Sequence, residues 1–104
     1  MAYVPTLTKK DISRLTAKLS GEKVYTTEKI VDALFLALRT AMEEADPEVR
    51  IEIRDFGVFE VKRTKPRPSA RNPKTGEIVY VPARKKTHFK AGKRLKEVLK
   101  RPLE

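Results

Sequence analysis

The side chains able to do chemistry in this chain are few and poorly placed for catalysis. Its one histidine, His88, stands beside Phe89 in a basic segment, and cysteine is absent. That absence excludes a disulfide scaffold and a thiolate zinc site, and it suits a reducing compartment. A metal-dependent nuclease needs converging carboxylates. The C-terminal part offers only Glu60, Glu77, Glu97 and Glu104, spread over separate elements. No Gly-rich phosphate loop or nucleophile elbow is present. Asp55-Phe56-Gly57 matches a protein-kinase tripeptide, but 104 residues leave no room for that fold and its companion motifs are missing. A lone histidine among cations fits a structural or phosphate-contacting role better than a catalytic one. The inventory predicts no enzyme, no cofactor, no metal site and no small-molecule substrate.

What the chain does carry is positive charge in one region. Residues 1–59 hold 9 basic and 10 acidic side chains, and residues 60–104 hold 15 and 4, so the net charge of +10 divides into −1 and +11. A single-sign field of this kind favours a polyanionic partner. An anionic membrane is the weaker candidate, because the basic block contains no helix pairing a Lys/Arg face with a broad apolar one. Nor does any apolar run reach the length of a membrane span or a signal segment, so a soluble cytoplasmic protein is expected.

The cations line both sides of one hairpin: Lys62, Arg63, Lys65, Arg67, Arg71 and Lys74 going out, Arg84, Lys85 and Lys86 returning. Such charges gain affinity by releasing counterions from phosphates, which makes binding salt-dependent and largely blind to sequence. With no tryptophan, three tyrosines and four phenylalanines, a base-stacking single-strand platform is disfavoured.

Residues 1–7 contain Pro5, show no periodicity and read as an N-terminal extension. Thr8 with Asp11 three residues on forms a capping-box-like helix start, Ile12, Leu15 and Leu19 form an apolar stripe, and Ser20-Gly21 ends the helix. A second, longer helix is predicted from Thr26 or Thr27 towards Ala45, before Asp46-Pro47. Ile30, Leu34, Leu38 and Met42 line one face of it. Val31, Phe35, Leu36 and Ala37 widen that face, so it needs cover from more than one side, by the sheet and C-terminal helix and by a second subunit.

From Val49 the period becomes two: Val49, Ile51 and Ile53 face one way, Arg50, Glu52 and Arg54 the other. A turn near Arg54–Gly57 leads to a second strand with Val58, Phe59 and Val61. Residues 60–87 then read as a long hairpin, with its turn at Asn72-Pro73 closed by Gly76 and a returning strand Ile78–Pro82. Flanks of roughly ten residues at about 3.3 Å each extend about 30 Å, too far for a core of this size to cover. A last helix is expected from about Ala91 to Lys100, with Leu95, Val98 and Leu99 facing inwards. Taken by residue type alone, Pro73 is either a turn former or an apolar wedge.

Asp55–Phe59, Arg71-Asn72-Pro73-Lys74-Thr75-Gly76 and Phe89-Lys90-Ala91-Gly92-Lys93-Arg94-Leu95-Lys96 together resemble the HU and integration host factor family of bacterial histone-like DNA-binding proteins, from Leu7 to about Lys100. The resemblance implies an α+β fold in residues 8–104: two N-terminal helices, a three-stranded antiparallel sheet extended into a β-hairpin arm at about 62–87, a short C-terminal helix, and an intertwined dimer. That dimer would be of identical chains or of two related ones. Phe56, Phe59 and Phe89 would form its shared aromatic centre. Two arms would enter the minor groove of double-stranded DNA, with Pro73 intercalated at each tip and bending the duplex. Contacts are expected from the hairpin cations named above, from Asn72 and Pro73, and from Lys93 and Lys96.

The implied role is a nucleoid-associated architectural protein of low sequence specificity. A site-specific bender of the integration host factor kind and a basic RNA- or ribosome-binding protein are the alternatives. Three departures stand out: Asp55 and Ala70 replace glycines common in the family, and one extra residue between Arg67 and Arg71 predicts a bulge. The acidic loop Glu43–Glu48 is expected to point away from DNA.

Overall fold

The computed structural model describes residues 3–104. Met1 and Ala2, part of the expected extension, lie outside the described residues. The chain divides into two compact units, one ending at Glu43 and one beginning at Glu44.

The first unit is a helix pair, α1 (Lys9–Ser20) and α2 (Val24–Glu43). Thr8 and Asp11 make the full reciprocal capping box, and Gly21, at φ 77°, ends α1 by donating its N–H to the Ala17 carbonyl. Two expectations are corrected here. Helix α2 starts at Val24, before the predicted threonines. Thr27 already lies inside the helix, where its hydroxyl and its N–H both turn back to the Lys23 carbonyl. The buried positions of α1 are Ser13 and Ala17, whereas Ile12, Leu15 and Leu19 stay exposed. Small residues let two helices approach closely, and with Thr27 and Val31 buried on α2 the large side chains are left facing outwards. Ser13 tolerates burial because its hydroxyl donates to the Lys9 carbonyl.

The second unit is built on strands β1 (Val49–Ile53), β2 (Gly57–Arg63), β3 (Arg67–Arg71), β4 (Ile78–Val81) and β5 (Lys85–Ala91), followed by α3 (Lys93–Leu99). Strands β1, β2 and β5 form an antiparallel sheet in the order β1-β2-β5, and β3 pairs with β4. The period-two reading of β1 holds, with Val49, Ile51 and Ile53 half-buried and Arg50 and Glu52 exposed. Its turn to β2 is tight: Ile53 pairs with Gly57, the Phe56 N–H donates to the Ile53 carbonyl, and Asp55 sits at φ 64°. Gly57 is obligatory there, since a Cβ would collide with the Lys90 carbonyl and the Phe89 ring.

The last helix is shorter than expected. Ala91 still belongs to β5, opposite Gly57, and the Gly92 N–H is committed to the Phe56 carbonyl, so the helix begins only at Lys93, with the Gly92 carbonyl accepting its first bond from the Lys96 N–H. Leu95 is half-buried, but Val98 and Leu99 face outwards rather than inwards, with Leu99 70% exposed.

Candidate nucleic-acid interface

Alternation along β2 gives the sheet two unlike faces. Phe59 and Val61 point to one side, and Phe59 stands directly opposite Phe89. Phe56, Phe59 and Phe89 form a tilted cluster there, with centroids 4.8 Å apart for Phe59–Phe89, 5.2 Å for Phe56–Phe89 and 6.3 Å for Phe56–Phe59. Val61, in phase with Phe59, is buried at 5% exposure. Glu60 and Lys62 share the opposite face with their cross-strand partners Arg50, His88 and Lys86.

Glu60 is the centre of that charged face. Its side chain is only 8% exposed and is ringed by Lys90 Nζ at 3.4 Å, Lys62 Nζ at 3.8 Å and Arg50 Nε at 3.9 Å. Burial by itself raises its pKa, but the Lys90 ammonium beside it and the charges of Lys62 and Arg50 outweigh burial and hold the carboxyl below its ordinary value. The carboxylate therefore stays ionised. It holds three exposed cations together on one surface, where their mutual repulsion would otherwise spread them.

The ribbon continues outwards from this face. Lys62 pairs with Lys86 and Arg63 with Lys85, and the Thr64 N–H donates to the Arg84 carbonyl while the Arg84 N–H donates to the Thr64 hydroxyl. Lys62, Arg67, Arg84, Lys86 and His88 border a concave surface at the root of the hairpin. Two neighbours anchor that root: the Glu48 carboxylate accepts from the Arg63 N–H, and Lys85 Nζ donates to the Ala45 carbonyl. Residues 44–48 thus pack on the root of the hairpin, where their polar groups satisfy donors of the ribbon.

Beyond, β3 and β4 carry the predicted bulge. Arg67 pairs with Val81, but Ala70 pairs with Val79 and Arg71 with Ile78, leaving one more residue on β3 than on β4. At the tip the Asn72 N–H donates to the Glu77 carbonyl and the Gly76 N–H to the Asn72 carbonyl. The Asn72 side chain accepts from the Lys74 N–H, and Gly76 adopts φ 75°. These bonds fix an apex on which Pro73 and Lys74 are exposed.

The structure thus brings Lys62, Arg63, Lys65, Arg67, Arg71, Asn72, Pro73, Lys74, Arg84, Lys85 and Lys86 onto one ribbon. Lys93 and Lys96 are exposed on α3 and stand off it in sequence. Arg50, Glu60 and Lys90 join the charged surface without having been predicted as site residues. The signal for them was the alternation itself, which puts Glu60 and Lys62 in phase. Among the described residues, no group of three or more His, Asp or Glu side chains is arranged to hold a metal ion, and no helix is long and apolar enough to cross a membrane.

Comparison with known proteins converges on this geometry. A family profile described as "Bacterial DNA-binding protein" matches residues 7–100. The integration host factor subunit alpha of Ralstonia nicotianae is 34% identical over 97% of this chain and 93% of its own length. The subunit beta of the same organism is 43% identical over 88% of this chain and 67% of its own. An Anabaena HU–DNA cocrystal structure superposes with a TM-score of 0.76 at 26% identity, covering 92% of this chain and all of that one.

Proposed function

The chain belongs to the bacterial DNA-binding protein family that includes HU and integration host factor, and from that premise we propose that it is an architectural protein that bends double-stranded DNA between two such arms. The observation that carries this reading is the tip: a basic ribbon ending in an apex held by Asn72 and Gly76, with Pro73 exposed between them. A rigid apolar ring at that position can wedge between base pairs, while Arg71 beside it suits the negative potential of a minor groove. Lysines and arginines along the ribbon supply affinity, and Pro73 supplies the bend.

The two arms come from two chains. Leu19, Ile30, Leu34, Phe35, Leu36 and Leu99 are exposed, while the buried apolar side chains among the described residues are only Ala17, Val31, Ala45 and Val61. A second copy covers this apolar surface, with Phe56, Phe59 and Phe89 at the shared centre. In a bacterial cell the dimer is cytoplasmic and associated with the nucleoid.

The test is a bending assay by energy transfer on an end-labelled duplex. Pro73→Ala keeps most of the affinity and loses most of the bend; a variant that bends as well as the parent overturns the wedge. A site-specific role is favoured by one finding, the relatives named as integration host factor alpha and beta subunits, which also supports a mixed dimer of related chains. Affinities measured across a random-sequence pool at fixed salt separate the two readings. Low specificity predicts a flat distribution.

A further inference from the structure

We propose that His88 is a proton-linked contact to DNA: the bound duplex draws a second proton onto its imidazole, and the imidazolium bridges a backbone phosphate and the buried Glu60 carboxylate. The inference deepens the DNA-binding function proposed above and rests on it.

His88 stands directly opposite Glu60 in the β2–β5 ladder. Opposed residues of an antiparallel pair share a face, with Cβ atoms about 5 Å apart, so the imidazole is within reach of the carboxylate. The same face carries Lys62 on β2, Lys86 and Lys90 on β5, and Arg50 and Glu52 on β1. His88 is exposed, and it borders the concave surface at the hairpin root together with Lys62, Arg84 and Lys86. A phosphate drawn to those cations arrives beside the imidazole.

Glu60 supplies the coupling to protons. Its ionised side chain is 8% exposed, and Oε1 is buried without a well-aligned hydrogen bond, the Lys90 ammonium standing 3.4 Å away. The charge is balanced by Lys62, Lys90 and Arg50, whose side chains are 52%, 59% and 63% exposed. Phosphates compete for these exposed cations. As the cations turn towards DNA the carboxylate cannot follow into water, and a buried charge deprived of its partners is costly. A neutral imidazole has one N–H, enough for the carboxylate or for a phosphate. The imidazolium has two, and it places a positive charge between two negative ones. Both negative neighbours favour the protonated form, so duplex binding and proton uptake reinforce each other. With one histidine and no cysteine in the chain, no other side chain has an ordinary pKa between about pH 6 and 8.

The test is the affinity of the full chain for a linear duplex at fixed salt from pH 8 to pH 6. Calorimetric titrations at pH 7 in two buffers of different ionisation enthalpy count the protons taken up. The parent should tighten about fivefold or more as pH falls, as expected for an imidazole favoured by roughly one pK unit in the complex. His88→Gln keeps a hydrogen-bonding side chain that does not titrate. With the parental circular dichroism spectrum, it should change affinity less than twofold over the range and take up fewer protons than the parent. The α-amino group is common to both proteins, so the difference between them belongs to His88. Glu60→Gln, which removes one of the two negative neighbours, should reduce the pH effect to less than half of the parent's.

A parent whose affinity is the same at both ends of the range overturns the proposal, and so does a His88→Gln variant that keeps the parent's pH dependence. A Glu60→Gln variant with the full pH effect overturns the bridge. A parent that binds no duplex at any pH overturns instead the DNA-binding function itself.

Discussion

At the scale of single residues, Asp55 explains one departure from the family pattern. Its φ of 64° lies in the left-handed region, where glycine is unstrained and Asp and Asn are the best tolerated alternatives. Asp55→Val should therefore cost about 1–2 kcal/mol in urea unfolding, and Asp55→Gly should cost nothing. Glu60 makes a second prediction. Its folded pKa lies below the unfolded value, so its stabilising contribution is complete above the ordinary carboxylate range and is lost as pH falls through the folded value. Asp11, held low by its hydrogen bonds from the Thr8 N–H and hydroxyl, has the same sign. Thermal midpoints should decline below about pH 4.5, where Glu and Asp begin to protonate, and Glu60→Gln should lower the midpoint at neutral pH while flattening that decline. The Thr8–Asp11 cap is legible in the sequence because both partners lie within one turn. The buried carboxylate is not, since its environment comes from Arg50 and Lys90, ten and thirty residues away.

At the scale of elements, strands are legible where alternation is strong and obscure where it is weak. Strand β1 alternates apolar and charged residues throughout, whereas β5, Lys-Lys-Thr-His-Phe-Lys-Ala, has almost no apolar pattern and takes its place from pairing with β2. The start of helix α2 is obscured because its first turn, Val-Tyr-Thr-Thr, is β-branched and aromatic, and the bond from the Thr27 N–H to the Lys23 carbonyl shows that the helix is already under way. The ribbon itself separates two adjacent lysines that the sequence treats alike. Lys85 is turned back to the Ala45 carbonyl, and Lys86 is exposed beside Lys62 on the charged face. Each lysine contacting a phosphate contributes roughly one unit to the salt slope of log K. Lys86→Ala should accordingly reduce that slope by about one, and Lys85→Ala by clearly less; equal reductions in a salt titration would place both on phosphate.

For the whole molecule, the decisive quantity is apolar surface left uncovered. The pattern of α2 shows it too apolar for cover from one side, but periodicity alone also assigns Leu15 and Leu19 of α1 and Val98 and Leu99 of α3 to the interior of a single chain. All four are exposed, Leu19 at 79%. A fold whose buried apolar side chains, among the described residues, are no larger than valine has too little core to stand alone at this size. The proposed second copy supplies what is missing, and folding then becomes inseparable from association. Two consequences are measurable. Sedimentation at micromolar concentration should give the mass of two chains, and the thermal midpoint should rise with protein concentration, as it must when unfolding releases two chains from one particle. Leu34→Asp places a charge on the exposed face of α2, so it should shift the mass towards one chain and lower the midpoint by more than about 5 °C. A monomeric parent with a concentration-independent midpoint would leave the large apolar side chains of α1, α2 and α3 without a reason to be on the surface, and the two-armed grip on DNA without its second arm.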